Sequence, residues 1–240
     1  MFVSSPEVAI PTLSIEQRIK HVVNKARTSA RRVGRDPAQI KILAVSKQKT
    51  VADIRAMVTQ GFLDFGESYV AEALPKLDSL ASAGCTWHYV GVVQSNKTKR
   101  LAQHFDWVQS IDRIHVGRRL ADARAELSTT ALNVCVQVNI DDEPTKAGVS
   151  VDQVPDLVEQ LQQFPQLQVR GLMAIPNPKA HRDATRHSFR RMRELFEKLQ
   201  VQTSAHWDTL SMGMTGDYEI AIEEGATMIR IGTALFGPRI

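Results

Sequence analysis

Short apolar runs alternate with longer amphipathic stretches along almost the whole chain. One amphipathic stretch precedes the first run. From Ser14 to Val33, residues Ile15, Ile19, Val22, Val23, Ala26 and Val33 recur at helical spacing, which predicts one face of a helix. Ser14 and Gln17 stand in a capping-box pattern, and Gly34 supplies a stop. Apolar, β-branched runs then predict strands at Ile42–Ser46, Leu63–Gly66, Trp87–Gly91, Trp107–Ser110, Val134–Ile140, Val169–Ala174, Trp207–Ser211 and Met228–Gly232. The segments between them predict helices starting near Val51, Tyr69, Asn96, Arg113, Val151, Asp183 and Thr215, with a short last helix after Thr233. Two stripes are clear: Val154, Leu157, Val158 and Leu161, then Phe189, Met192, Phe196 and Leu199.

Strand–helix alternation of this kind fits either a doubly wound open sheet or a (β/α)8 TIM barrel. The count of units decides for the α/β barrel. Near-continuous apolar strands agree with a parallel sheet buried on both faces. One domain is expected over 14–240, behind a disordered or extended N-terminal segment at 1–13.

Composition narrows the function. A chain of 240 residues with 43% hydrophobic content can bury a sizeable core. Lysine and arginine number 30 against 26 acidic residues, a net charge of +4, which is modest for a dedicated nucleic-acid binder. Cys85 and Cys135 form no C-x-x-C pair, so neither a zinc ribbon nor a redox motif is indicated, and a reducing compartment is expected. Met1 to Pro11 lacks a secretory pattern, and no apolar run approaches the roughly 20 residues that span a bilayer. A cytoplasmic protein is expected. No apolar stripe is left over for an interface, which predicts a monomer.

In a barrel, function sits at the C-terminal ends of the strands. Lys47 closes the first strand, in Ile42-Leu-Ala-Val-Ser-Lys47. A lysine emerging from a buried strand is partly desolvated, which lowers its pKa and frees the amine as a nucleophile. The plainer alternative is a rim lysine whose head reaches water. Gly232-Thr233 follows the eighth strand, where barrels frequently bind phosphate through backbone N–H groups. Ser211 and Gly213, after the seventh, would form the adjoining wall. Arg230 lies within the eighth strand and must face a polar site or pair with a carboxylate inside the barrel. Both readings of it stand on these grounds.

Other candidates are weaker. Gln94-Ser-Asn-Lys97-Thr-Lys99-Arg100 places positive charge in a first helical turn, against the helix dipole, and fits an anion site or a solvated face. Lys146, on the Asp141–Gly148 loop, has the same two readings. His88 alternates with Trp87 and Tyr89 and reads as a hydrogen-bonded core histidine. Asp64, Glu67, Asp112, Asp141 and Asp142 lie near strand ends with no spacing that marks an acid/base pair or a metal site.

Taken in order, several short stretches resemble the pyridoxal phosphate (PLP) homeostasis protein family, barrels like the N-terminal domain of alanine racemase. They include Leu43-Ala-Val-Ser-Lys47, Phe65-Gly-Glu-Ser-Tyr69, Trp87-His-Tyr-Val-Gly91, Gln94-Ser-Asn-Lys97, Gly171-Leu-Met-Ala174, Leu210-Ser-Met-Gly-Met214 and Arg230-Ile-Gly-Thr-Ala-Leu-Phe-Gly237. The resemblance runs from about residue 14 to the end. It implies PLP held as a Schiff base on Lys47, its pyridine nitrogen at Arg230 and its phosphate at Ser211, Gly232 and Thr233. It implies a carrier that stores and delivers PLP to apoenzymes and keeps amino-acid and keto-acid pools in balance, without robust turnover. The racemases add a β-rich domain that completes the active site, and none is expected here after Ile240. Ser68 stands where the family usually has asparagine near the cofactor. Val92 replaces a proline, and Thr215-Gly216-Asp217 departs from the common form. Lys97 and Lys146 are candidates for a second PLP or anion. The alternatives are a PLP-dependent amino-acid racemase and an RNA-binding protein that uses the Lys97–Arg100 patch.

Overall fold

The structure, a computed structural model, describes residues 13–127, 130–177, 180–200, 203 and 206–238. Eight parallel strands close into a barrel in sequence order. They are β1 (Lys41–Val45), β2 (Asp64–Glu67), β3 (Thr86–Tyr89), β4 (Trp107–Ile111), β5 (Leu132–Val138), β6 (Leu167–Ala174), β7 (Thr209–Ser211) and β8 (Met228–Ile231). The helices are α1 (Ile15–Arg32), α2 (Val51–Thr59), α3 (Val70–Ser79), α4 (Thr98–His104), α5 (Ile114–Ala125), α6 (Val154–Gln162), α7 (Arg182–Gln200), α8 (Tyr218–Glu223) and α9 (Thr233–Phe236). The expected barrel is therefore the observed one. Of the expected N-terminal segment, all but Leu13 lies outside the described residues.

Local chemistry explains the boundaries. Ser14 caps α1, with the reciprocal bonds of the Ser14–Gln17 box both formed. Val33, expected on the buried stripe, is 43% exposed: it is the C-cap residue, and the chain leaves the helical path at Gly34. β7 begins at Thr209, later than the expected Trp207. The Trp207 indole donates to the Phe196 carbonyl and stacks on its ring, so it packs against α7. α8 begins at Tyr218, later than the expected Thr215. The Asp217 carboxylate accepts the Met214 N–H and closes a turn there, leaving Thr215 and Gly216 outside the helix.

Apolar burial falls into a large shell and a small centre. The shell lies between sheet and helices and includes both stripes expected from the sequence. Inside the barrel, Trp107, Cys135 and Met173 form a small apolar cluster. Polar side chains share that interior, with His88, Gln109, Ser211 and Arg230 all buried. The β5–β6 register shifts between Val134 and Cys135. Across from that shift, Gly171 has φ +147, and a Cβ there would lie 1.9 Å from the Thr209 carbonyl oxygen. Only glycine lets β6 and β7 approach this closely.

Candidate functional site

Strand parity sets which side chains meet at the barrel mouth. Ser46 bonds outward to Glu67, so Val45 and Lys47 take the inner face of β1. β1 pairs with β8, Ala44 opposite Ile231, which brings the turn at Gly232 beside Val45. β1 also pairs with β2, Val45 opposite Gly66, which carries Ser68 toward Lys47. The outcome is a cavity of about 340 Å³ lined by Lys47, Ser68, Thr215, Arg230, Gly232 and Thr233 together with Val45, Val90, Ile175, Met214 and Gly216. A second cavity of about 490 Å³ adjoins it. The two share Lys47, Ser68 and Val90, and Lys97 lines the second.

Lys47 is half-buried, and its ammonium is bonded to no other described residue. Its backbone, by contrast, is clamped from outside the barrel. Lys76 on α3 donates to the Ser46 carbonyl at 2.9 Å, to Glu67 at 2.8 Å and to Glu72 at 2.6 Å. The Ser46 hydroxyl donates to the same Glu67 oxygen at 2.6 Å, and Glu72 accepts the Gln48 N–H. Gln48 itself has φ +61, an uncommon backbone for a non-glycine residue, held between these bonds. Burial pushes the Glu67 carboxyl up, against the opposing pull of Lys76 and Ser46.

Arg230 is 4% exposed. Its guanidinium donates to the Ser211 carbonyl at 2.7 Å, the Ser211 hydroxyl at 2.9 Å and the Ala174 carbonyl at 2.9 Å. No carboxylate among the described residues pairs with it, so the ion-pair reading gives way to the cavity-facing one. Burial lowers its pKa to about 10, partly offset by Asp217, which leaves it charged at neutral pH.

Ser211 sits elsewhere than expected. Its Cα is level with Met228, two residues below Arg230 along β8, because the strands of a barrel are staggered. The Ser211 hydroxyl is fully buried between Arg230 and Gln109 and does not line the cavity. The residues beside Gly232 and Thr233 are instead Thr215 and Gly216. Backbone N–H groups of Thr215, Gly216 and Thr233 have no partner among the described residues, which leaves three donors for an anion. Sequence reasoning passed over Thr215, although a hydroxyl in a turn after the seventh strand was a usable signal. Of the two readings of Lys146, its placement does not favour the anion one. Its ammonium lies 3.1 Å from Glu143 and donates to the Ile175 carbonyl, and it lines neither cavity. Lys99 pairs with Glu126 on the surface.

This donor set suits an anionic aldehyde. A free amine, a buried guanidinium, two threonine hydroxyls and unpaired N–H groups around a glycine turn converge on one concave space of ordinary small-ligand size.

Comparisons with known proteins agree with that chemistry. The sequence model of the alanine racemase N-terminal domain family matches residues 16–239. A pyridoxal phosphate homeostasis protein of Pseudomonas aeruginosa is 47% identical over 226 residues, covering 94% of this chain and 96% of that protein. PipY of Synechococcus elongatus, in a structure with PLP bound, matches with a TM-score of 0.81 at 34% identity, covering 93% of this chain and 100% of that one. Alanine racemase of Corynebacterium glutamicum gives a TM-score of 0.64 at 14% identity, covering 92% of this chain and 62% of that one, which is a likeness of fold alone.

Proposed function

The chain belongs to the alanine racemase N-terminal domain family, among its pyridoxal phosphate homeostasis proteins, and from that premise we propose that it binds PLP covalently through Lys47 and acts as a carrier of the cofactor. Arg230 faces the pyridine nitrogen. Gly232, Thr233, Thr215 and Gly216 hold the phosphate, with Ser211 acting behind Arg230. Ser68 borders the ring. The observation that carries this reading is one cavity holding both an unpartnered amine and a buried arginine beside the Gly232-Thr233 turn.

When bound, PLP supplies a reactive carbonyl and an electron-withdrawing ring. The protein's part is to hold it. Lys47 presents its amine from a clamped backbone. Arg230 stays protonated at neutral pH and so leaves the ring nitrogen without a proton, which weakens the ring as an electron sink. Racemisation also needs a second acid/base group across the substrate. Beyond Lys47, the titratable side chains lining the two cavities are Tyr69, Tyr89, Lys97 and Arg230, among the described residues. The Tyr89 hydroxyl is already given to the Val92 carbonyl. Storage and delivery to apoenzymes, rather than turnover, is the reading that the likeness to pyridoxal phosphate homeostasis proteins supports. No described helix is long and apolar enough to cross a membrane, and the reading places a monomer in the cytoplasm.

The test is an absorbance spectrum of the purified protein with PLP, before and after Lys47→Ala, followed by mixing with a PLP-dependent apoenzyme. The reading expects cofactor absorbance that Lys47→Ala removes, and apoenzyme activity restored by the loaded wild type. Amino-acid racemisation on the order of 1 per second or faster would refute the carrier role.

A further inference from the structure

A chain of side-chain hydrogen bonds crosses the barrel interior from the mouth toward the opposite end. Arg230 donates to the Ser211 hydroxyl at 2.9 Å. Ser211 Oγ lies 2.7 Å from Gln109 Oε1, Gln109 Nε2 lies 2.9 Å from His88 Nδ1, and His88 Nε2 lies 3.1 Å from Asp64 Oδ1. Asp64 then takes the Lys41 ammonium at 3.0 Å, near solvent.

Elementary donor rules set the direction of every link. An arginine only donates, so the Ser211 hydroxyl must pass its own hydrogen on to Gln109 Oε1. That leaves the Gln109 amide nitrogen facing His88, where it donates, and its second N–H meets the Met228 sulfur at 3.1 Å. Nδ1 of His88 therefore accepts, and Nε2–H donates to Asp64. The far end agrees independently, because a carboxylate only accepts. The His88 ring has little freedom to turn, since it stacks on Trp107 at 5.0 Å between centroids, and Arg170 lies over that indole. Burial holds His88 below its ordinary pKa despite Asp64, with Lys41 acting in the same sense as burial and Asp106 against it. The ring is then neutral, as the chain requires.

We propose that Gln109 and His88 are positioning residues for Arg230, aligning the guanidinium toward the cofactor through Ser211. The proposal rests on the reading of the mouth cavity as a PLP site. Its physical basis is charge. Among the described residues Arg230 has no paired carboxylate, and three neutral groups in a row each turn the negative end of a dipole toward it. Removing one link lets the guanidinium reorient and weakens its contact with the ring nitrogen.

The test uses two variants, Gln109→Leu and Ser211→Ala, so that one remains if the other does not fold. In PLP-free, ¹⁵N-labelled wild type, the His88 signal, identified by its loss in His88→Gln, is expected with Nδ1 unprotonated and Nε2 protonated. The Arg230 guanidinium N–H signals are expected to be sharp and slow to exchange in wild type, and broadened in either variant. In PLP titrations Ser211→Ala, which removes one hydrogen bond to the charged guanidinium, is expected to raise the Kd about tenfold. Gln109→Leu, which removes only neutral links behind it, is expected to raise the Kd by less, and both are expected to shift the absorption of the bound cofactor. A protonated Nδ1 in wild type, unchanged Arg230 signals, or wild-type affinity and spectrum in both variants would each overturn the proposal. If wild type binds no PLP, the reading of the site fails, while the His88 and Arg230 signals still decide whether the chain positions the guanidinium.

Discussion

The Lys76 ammonium donates to the Ser46 carbonyl at 2.9 Å, one residue ahead of Lys47. Lys76 is 5% exposed and lies on α3, outside the sheet, so this contact fixes the proposed cofactor lysine from behind. Replacing Lys76 by methionine leaves Glu67 and the Ser46 carbonyl without their cation. Breaking a buried pair from one side costs about 3–5 kcal/mol. Urea denaturation of Lys76→Met should show a loss in that range, and the folded variant should bind PLP more weakly. Wild-type stability would mean that the cluster does not hold the end of β1.

Gly91 and Gly232 both border the mouth but meet different neighbours. A Cβ on Gly91 would lie 2.3 Å from the Ser68 carbonyl oxygen, which is backbone and cannot step aside cheaply. Gly91→Ala should destabilise by about 1–3 kcal/mol and also displace Ser68 from the cavity. A Cβ on Gly232 would meet nothing closer than the Val45 carbonyl oxygen at 3.5 Å. Gly232→Ala should therefore melt near wild type yet bind PLP more weakly, since the methyl takes space beside the phosphate. Thermal melts with and without PLP separate the two effects.

A second charge cluster, away from the mouth, ties α1, α7 and α8 together. Glu223 takes Arg32 and Arg186 at 2.6 Å each, and Glu224 takes Arg186 at 2.8 Å and Arg190 at 3.2 Å. Burial alone would raise both carboxyls, but the arginine bonds outweigh it and hold both below the ordinary value. A carboxyl with a lowered folded-state pKa contributes fully above its unfolded value, near 4.5. That contribution is lost as pH falls through the folded value. Melting temperature should be flat in this respect at neutral pH and fall below about pH 4.5. The double variant Glu223→Gln, Glu224→Gln should start lower and fall less steeply over the same range. Parallel curves would contradict the assignment.

Much of the barrel was legible because most of its strands are short runs rich in β-branched and apolar residues, and its helices carry clear stripes. Ser14 with Gln17 located the first helix start, and the strand ends pointed to Lys47 and Gly232-Thr233. Depth inside the barrel was not legible. Ser211 reads as a rim residue from its place at the end of β7, yet the stagger sets it below Arg230, and Thr215 takes the cavity wall. Nor could spacing reveal Lys76, whose partners Ser46 and Glu67 lie 30 and nine residues away in sequence. His88 was readable as a bonded core histidine. Its connection through Gln109 to Arg230 depends on β3, β4, β7 and β8 closing around one interior, which no local pattern records.

The central claim is that the Lys47 amine carries the cofactor. Borohydride reduction of the PLP-loaded protein, followed by proteolysis and mass mapping, tests it most directly. The account predicts the reduced phosphopyridoxyl group on the peptide containing Lys47, and its absence in Lys47→Ala. Attachment at Lys97, Lys146 or any other lysine, with Lys47 unmodified, would contradict it.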